Sequence, residues 1–195
     1  MLNDPINDTD HHVKRLCNGA LLFASEELQD GNFVDSLVLI CIHNADGAFG
    51  LILNRPTHMP LVEVFNIDPV YLNVRRSIYM GGPVDEEVLN ILHITDTPAT
   101  NAFRVQGRVF LGGEWSSVES ILDENQEDVR MFLGYSGWHA GQLEQEISQG
   151  DWEVFNVDME QFLRDWMEPK MTDRDSIRAY LRGITIDAPE KQEQS

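Results

Sequence analysis

The chain has 195 residues, 42% of them hydrophobic, which is enough for one substantial core. Its 33 acidic residues against 14 Lys and Arg give a formal charge of -19; a field of that sign repels phosphate backbones, so direct nucleic-acid binding is disfavoured. The two cysteines, Cys17 and Cys41, have neither zinc-ligand spacing nor the density of a disulfide scaffold, and no apolar run reaches the about 20 residues that span a bilayer.

The opening MLNDPINDTDHH lacks the basic-then-apolar order of a signal peptide and reads as a polar tail over residues 1–14. A single domain is expected over 15–186, followed by a charged tail at 187–195. With no disulfide framework and no export signal, a reduced cytoplasmic setting fits.

GALLFA (Gly19 to Ala24) and SLVLICIHN (Ser36 to Asn44) predict strands, and the second is apolar on both alternating faces from Leu37 to Ile42, as a central strand covered on both sides would be. Asp46-Gly47 between two apolar runs predicts a hairpin to FGLILN (Phe49 to Asn54). Pro60 opens a predicted short helix at LVEVF. RSIYM (Arg76 to Met80) and VLNILHI (Val88 to Ile94) predict strands, and FRVQGRVFLGG one or two more.

Ser116 and Glu119 have capping-box spacing ahead of Val118, Ile121 and Leu122, so a helix follows. VRMFLGY returns to the sheet, residues 139–148 form a helix with Ala140, Leu143 and Ile147 as its buried stripe, and WEVF is a short strand. The last third predicts helices at MEQFLRDWM after Asp158 and at DSIRAYL, the latter capped by Thr172 with Asp175 and closed by Gly183. Strands early and helices late place the chain in the α+β class.

Five glycine-bearing pieces carry a family resemblance: GALLFAS, HNADGAFGLILNRP (His43 to Pro56), YMGGPV (Tyr79 to Val84), LGGEW (Leu111 to Trp115) and GYSGWHAGQLEQEI (Gly134 to Ile147). In this order they resemble the YqgE/AlgH family of small bacterial proteins. The resemblance implies an α+β fold in which a bent, mainly antiparallel sheet curls into a partial barrel flanked by helices. It also brings a transcriptional-regulator label, through one branch's connection to alginate, with neither a catalytic mechanism nor a DNA-binding motif attached.

The candidate site residues are His43, Asn44, Asn54, Arg55, Gly81, Gly82, Ser136, Trp138 and His139. Ser136 lies between an apolar run and a helix, where a hydrolase nucleophile would sit, but a nucleophile elbow needs glycine where Trp138 stands. An N-cap role is the expected alternative. His43, Asn44, Asn54 and Arg55 flank the hairpin as a polar recognition surface, with Arg55 either holding an anionic ligand or pairing with a carboxylate. Gly81-Gly82 implies a tight turn or a close backbone approach, and the absence of a following Walker lysine argues against a nucleotide loop. The histidines form no H-E-x-x-H pair, so neither a metal nor another cofactor is expected.

No catalytic constellation is complete. The expected function is therefore a cytoplasmic regulatory or adaptor protein that binds a protein partner or small ligand, with any effect on transcription indirect. The alternative is a hydrolase or transferase with His43 or His139 as base. Neither the partner nor the oligomeric state is readable from the residues.

Overall fold

A computed structural model describes residues 11–57, 78–124, 128–166 and 173–187. In chain order its elements are β1 (Leu21–Ala24), β2 (Leu37–Asn44), β3 (Gly47–Ile52), β4 (Tyr79–Met80), β5 (Val84–Ile94), β6 (Phe103–Gln106), β7 (Val109–Leu111), α1 (Trp115–Glu124), β8 (Val129–His139), α2 (Gln142–Gln149), β9 (Trp152–Phe155), α3 (Met159–Asp165) and α4 (Arg174–Ile184). The fold is α+β: among the described residues nine strands form one mainly antiparallel sheet, eight of them ordered β6-β7-β5-β8-β3-β2-β1-β9 and the ninth, β4, off this path beside β8, and the sheet does not close on itself. Residues 11–15, expected mostly within the polar tail, form a helical turn instead, and His12 Nδ1 accepts the Val154 N–H at 3.0 Å along the outer edge of β9.

β2 is central and covered on both sides, as its unbroken apolar run requires. Leu37, Leu39 and Cys41 enter one core with Leu21, Phe23, Leu51 and the helical residues Phe162, Leu163, Ile177 and Leu181. Val38 and Ile40 enter a second core, on the opposite face, with Leu22, Trp138, Leu143, Ile147 and Trp152. A third cluster joins Ile91, Met131 and Leu133 to Val118, Ile121 and Leu122 of α1. The sheet is thus sandwiched between helices on both faces, which fixes α2 against β8, β9 and β3.

β8 connects the two halves of the sheet. Its first part pairs with β5 (Ile91 with Met131) and, in parallel, with β4 (Tyr79 with Phe132); its last part pairs with β3 (Gly50 with Ser136). At the change-over, Gly134 has φ +67° and residues 85–88 bulge out of β5, which re-enters register only at Leu89.

The β2–β3 hairpin forms where Asp46-Gly47 predicts it, with one shift. Ala45 and Asp46 are the connecting residues, neither has positive φ, and Gly47 at φ +138° is already paired with Asn44. Gly47 also lies so close to Trp138 that a Cβ would meet its carbonyl oxygen at 2.1 Å.

Local expectations are corrected at three helices. α1 begins at Trp115, with the Glu114 carbonyl accepting the first N–H groups, so Ser116 sits inside the helix and is not its cap. The helix expected over 139–148 starts only at Gln142, because β8 runs on to His139; Ala140 is exposed in the turn, and the buried stripe is Leu143 and Ile147. α4 is capped by Asp173, whose carboxylate accepts the Ser176 N–H at 2.8 Å, and it continues through Gly183 to Ile184. Asp158 caps α3 as expected. The helix predicted at LVEVF, like Thr172, lies outside the described residues.

Candidate functional site

α2 organises the site because its faces have separate tasks. Gly141 (φ +75°) and Gly150 (φ +86°) allow the chain to enter and leave the helix in left-handed turns. Leu143 and Ile147 are buried beneath it. Gln142, Glu146 and Gln149 follow at i, i+4 and i+7 and share one side, while Glu144 points to the other.

On the first side the Glu146 carboxylate is held by three donors. The indole N–H groups of Trp138 and Trp152 both reach Oε2 at 2.9 Å, and the Gln142 amide reaches Oε1 at 2.9 Å. An ionised carboxylate offers about four acceptor positions, so one on Oε1 stays open. The tryptophans are themselves fixed: their rings meet edge to face at 6.2 Å, and Phe33 stacks on Trp138 at 5.9 Å and meets Trp152 edge-on at 5.6 Å. Charge-assisted bonds from rigid indoles make Glu146 a pre-oriented anionic group.

Glu146 lines a cleft of about 630 Å³. Its floor is Gly137, Trp138 and Trp152; one wall is α2 with Asp151, and the other is the β1–β2 loop with Glu27, Leu28, Asp30 and Phe33. Four carboxylates, Glu27, Asp30, Glu146 and Asp151, thus surround one space into which no Lys, Arg or His of the described residues projects. Burial, reinforced by the charges of Glu146 and Glu27, pushes the Asp151 carboxyl above its ordinary range. Like charge is therefore concentrated there, with Glu146 and Asp151 half-buried and Glu27 and Asp30 exposed.

The expected site residues do not converge on one place. Trp138 lines this cleft. Ser136 is fully buried within β8, where its hydroxyl donates to the Gly81 carbonyl at 3.1 Å, so it is neither an N-cap nor accessible to a substrate. Gly81 and Gly82 lie beneath it: a Cβ on Gly82 would come within 2.2 Å of the Tyr135 backbone, and one on Gly81 within 2.4 Å of the Gly134 carbonyl. Here the close backbone approach implied by Gly-Gly is real.

His43 is on the far side of α2, with Nε2 2.8 Å from Glu144 Oε1 and its backbone N–H on the Asn18 side chain at 2.7 Å. Asn44 closes the hairpin turn by accepting the Asp46 N–H at 2.8 Å. His139 is exposed at the end of β8, its backbone N–H donating to Gln142 Oε1 at 3.0 Å. Asn54 fastens the start of β2, accepting from Leu37 N at 3.0 Å and donating to the Asp35 carbonyl at 2.8 Å. Arg55 forms no ion pair with a carboxylate among the described residues, although the charges of Asp35 and Asp30 act on it: its guanidinium donates to the carbonyls of Asn32, and of Val34 at 3.0 Å, in the loop that walls the cleft.

The residues that sequence reasoning missed are Glu27, Asp30, Phe33, Glu146, Asp151 and Trp152. The signal was present in two acid-rich segments, EELQDGNFVD and EQEISQGDW, each with an aromatic embedded among acids and amides. Among the described residues no group of three or more His, Cys, Asp or Glu is placed to hold a metal ion. A second cleft, of about 550 Å³ beside α1, contains Arg108 and Arg164, but both are neutralised by Asp96, Glu160 and Asp128.

An open, bent sheet covered on both faces, with a walled acidic cleft between α2 and the β1–β2 loop, defines the architectural class. The chain belongs to the AlgH-like family (DUF179), whose model matches residues 21–176. UPF0301 proteins are among its relatives: one from Chlorobium limicola is 34% identical over 79% of this chain and 82% of its own length, and one from Chlamydia muridarum is 39% identical over 69% and 72%. The solution structure of the AlgH protein from Pseudomonas aeruginosa superposes with a TM-score of 0.69 at 26% identity, covering 100% of this chain and 99% of that one. The crystal structure of protein DIP2367 from Corynebacterium diphtheriae shares the fold, with a TM-score of 0.66 at 24% identity over 82% and 85% of the two chains.

Proposed function

We propose that the protein is a cytoplasmic regulatory or adaptor protein whose cleft receives a cationic group, an amine carried by a small ligand or by a partner's side chain. The observation that carries this reading is the set Glu27, Asp30, Glu146 and Asp151 around one space of about 630 Å³, with no basic side chain of the described residues among its lining. Glu146 is the orienting group, since its carboxylate is locked by Trp138, Trp152 and Gln142 and retains an open acceptor position. The carboxylates encircle the space and are not gathered on one point, which suits an organic cation with spaced charges. The arrangement also supports a binding role over a hydrolytic one, because Ser136 is buried and His43 pairs with Glu144 away from the cleft. Any influence on transcription is then indirect, through the ligand or partner.

The test is titration with spermidine at physiological salt, followed by calorimetry and by the fluorescence of Trp138 and Trp152. Saturable binding that weakens about tenfold or more in Glu146→Gln is expected, as for loss of one charged partner. A peptide with a single exposed lysine, run in parallel, separates a small-molecule ligand from a partner's side chain. No saturation by either probe up to millimolar concentration overturns the reading.

A further inference from the structure

The wall of the cleft opposite α2 is the loop of residues 25–36, and its construction differs from the rest of the fold. Apart from Ser36 at its end, no residue of the loop is fully buried, and its apolar contacts with the core run through Leu28 and Phe33 alone. Little hydrophobic burial therefore holds it closed, which is the property of segments that open below the global unfolding energy.

Its two ends are fastened separately from its middle. The Arg174 guanidinium, stacked over Phe23, donates to the Ala24 carbonyl at 2.6 Å and to the Asp35 carboxylate, while Asn54 bonds the Asp35 carbonyl. Asp35 itself has φ +57°, a left-handed residue at the point where the loop rejoins β2. The middle is held by Arg55, through the carbonyls of Asn32 and Val34, and by the packing of Phe33 on the two tryptophans.

Electrostatics works against that hold. Glu27 and Asp30 on the loop share the cleft with Glu146 and Asp151 on the body. Across the gap the exposed Glu27 acts by its charge on the Asp151 carboxyl, and that repulsion falls only if the gap widens or a cation enters it.

We propose that residues 25–36 are a lid, clasped shut by Arg55 and pushed open by the carboxylates facing each other across the cleft, so that a bound cation closes it. The closing step rests on the cationic-ligand reading; the lid itself does not. A cation contacting both walls binds the closed form more tightly than the open one, which is the differential affinity that shifts a two-state loop.

Hydrogen exchange of the lid amides tests this on the full-length protein, with β2 amides as the internal reference. In Arg55→Ala the lid amides are expected to exchange about tenfold faster, as for loss of one or two hydrogen bonds, with β2 unchanged. Arg55→Lys, which keeps the charge and loses the fork, is expected to lie between. Without any ligand, Glu27→Gln combined with Asp30→Asn should slow lid exchange, because the repulsion is gone. Spermidine should slow it in the natural protein and have little effect in that double variant. If neither the arginine variants nor the double variant changes lid exchange relative to β2, the lid proposal fails. If the variants act as stated while spermidine does not bind, the lid stands and the cationic-ligand reading fails.

Discussion

The Ser136 hydroxyl donates to the Gly81 carbonyl at 3.1 Å, tying β8 to the glycine pair that follows β4. The same carbonyl also accepts the Ile52 N–H at 2.9 Å, so removing the serine does not leave it unpaired. Ser136→Ala should cost about 0.5–1.5 kcal/mol, the net worth of one neutral hydrogen bond, without altering ligand binding. Denaturant unfolding measures the first and spermidine titration the second; a loss above about 3 kcal/mol would mean that the hydroxyl also supports the strand crossing in another way.

Gly82 should tolerate no side chain. It has φ +155°, and a Cβ would lie 2.2 Å from Tyr135 C and 2.5 Å from Ser136 N, so backbone would have to move in the middle of the sheet. Gly82→Ala is expected to destabilise by about 3 kcal/mol or more, whereas Gly107→Ala, whose φ is +53° with open space around it, should pay only the left-handed penalty of about 1–2 kcal/mol. Thermal unfolding of the pair distinguishes crowding from conformation.

Asp151 should make the protein less stable as pH rises. Burial and the neighbouring Glu146 and Glu27 raise its carboxyl in the folded state, so the folded chain holds a proton that the unfolded chain has already released. Stability contributed by this group is complete below the ordinary carboxylate value and is lost as pH climbs through the raised one. Asp151→Asn should therefore be the more stable protein at neutral pH, with the difference vanishing in acid. Unfolding midpoints measured across that range check the sign, and a variant less stable than the natural protein at neutral pH would contradict it.

His93 should have the opposite dependence. It is fully buried, stacked on Phe110 at 5.8 Å, and neither ring nitrogen has a hydrogen-bond partner among the described residues. Burial lowers its pKa, so the folded state refuses a proton that the unfolded state accepts, and stability falls as pH drops below the ordinary imidazole value. His93→Phe keeps the stack and removes the unpaired nitrogens. It should gain about 1 kcal/mol at neutral pH and flatten the acid limb of the stability profile, both visible in denaturant midpoints.

Much of the fold was legible because it depends on local chemistry. The double-faced apolar run of Leu37 to Ile42 announced a central strand, and Asp158 announced the start of a helix. Helix ends with two competing caps were read less well: Ser116 has the right spacing, but the preceding Glu114 carbonyl already starts the helix. The site was read least well, because its residues meet only through the fold. Glu27 and Glu146 are far apart in sequence, and nothing in the spacing of either reveals that one cleft holds both. Arg55 was singled out for its charge, yet its partners are two backbone carbonyls, which sequence does not distinguish from any others.

β8 joins β3, β4 and β5, yet it occupies residues 129–139, well behind all three in chain order. As the polypeptide emerges from the ribosome, β3 and β5 appear with their inner edges unfilled and remain so until residue 139 has been made. Open edges of apolar strands invite pairing with other chains. A nascent chain stopped short of β8 should therefore aggregate or be held by a chaperone, and release should follow the synthesis of this one strand.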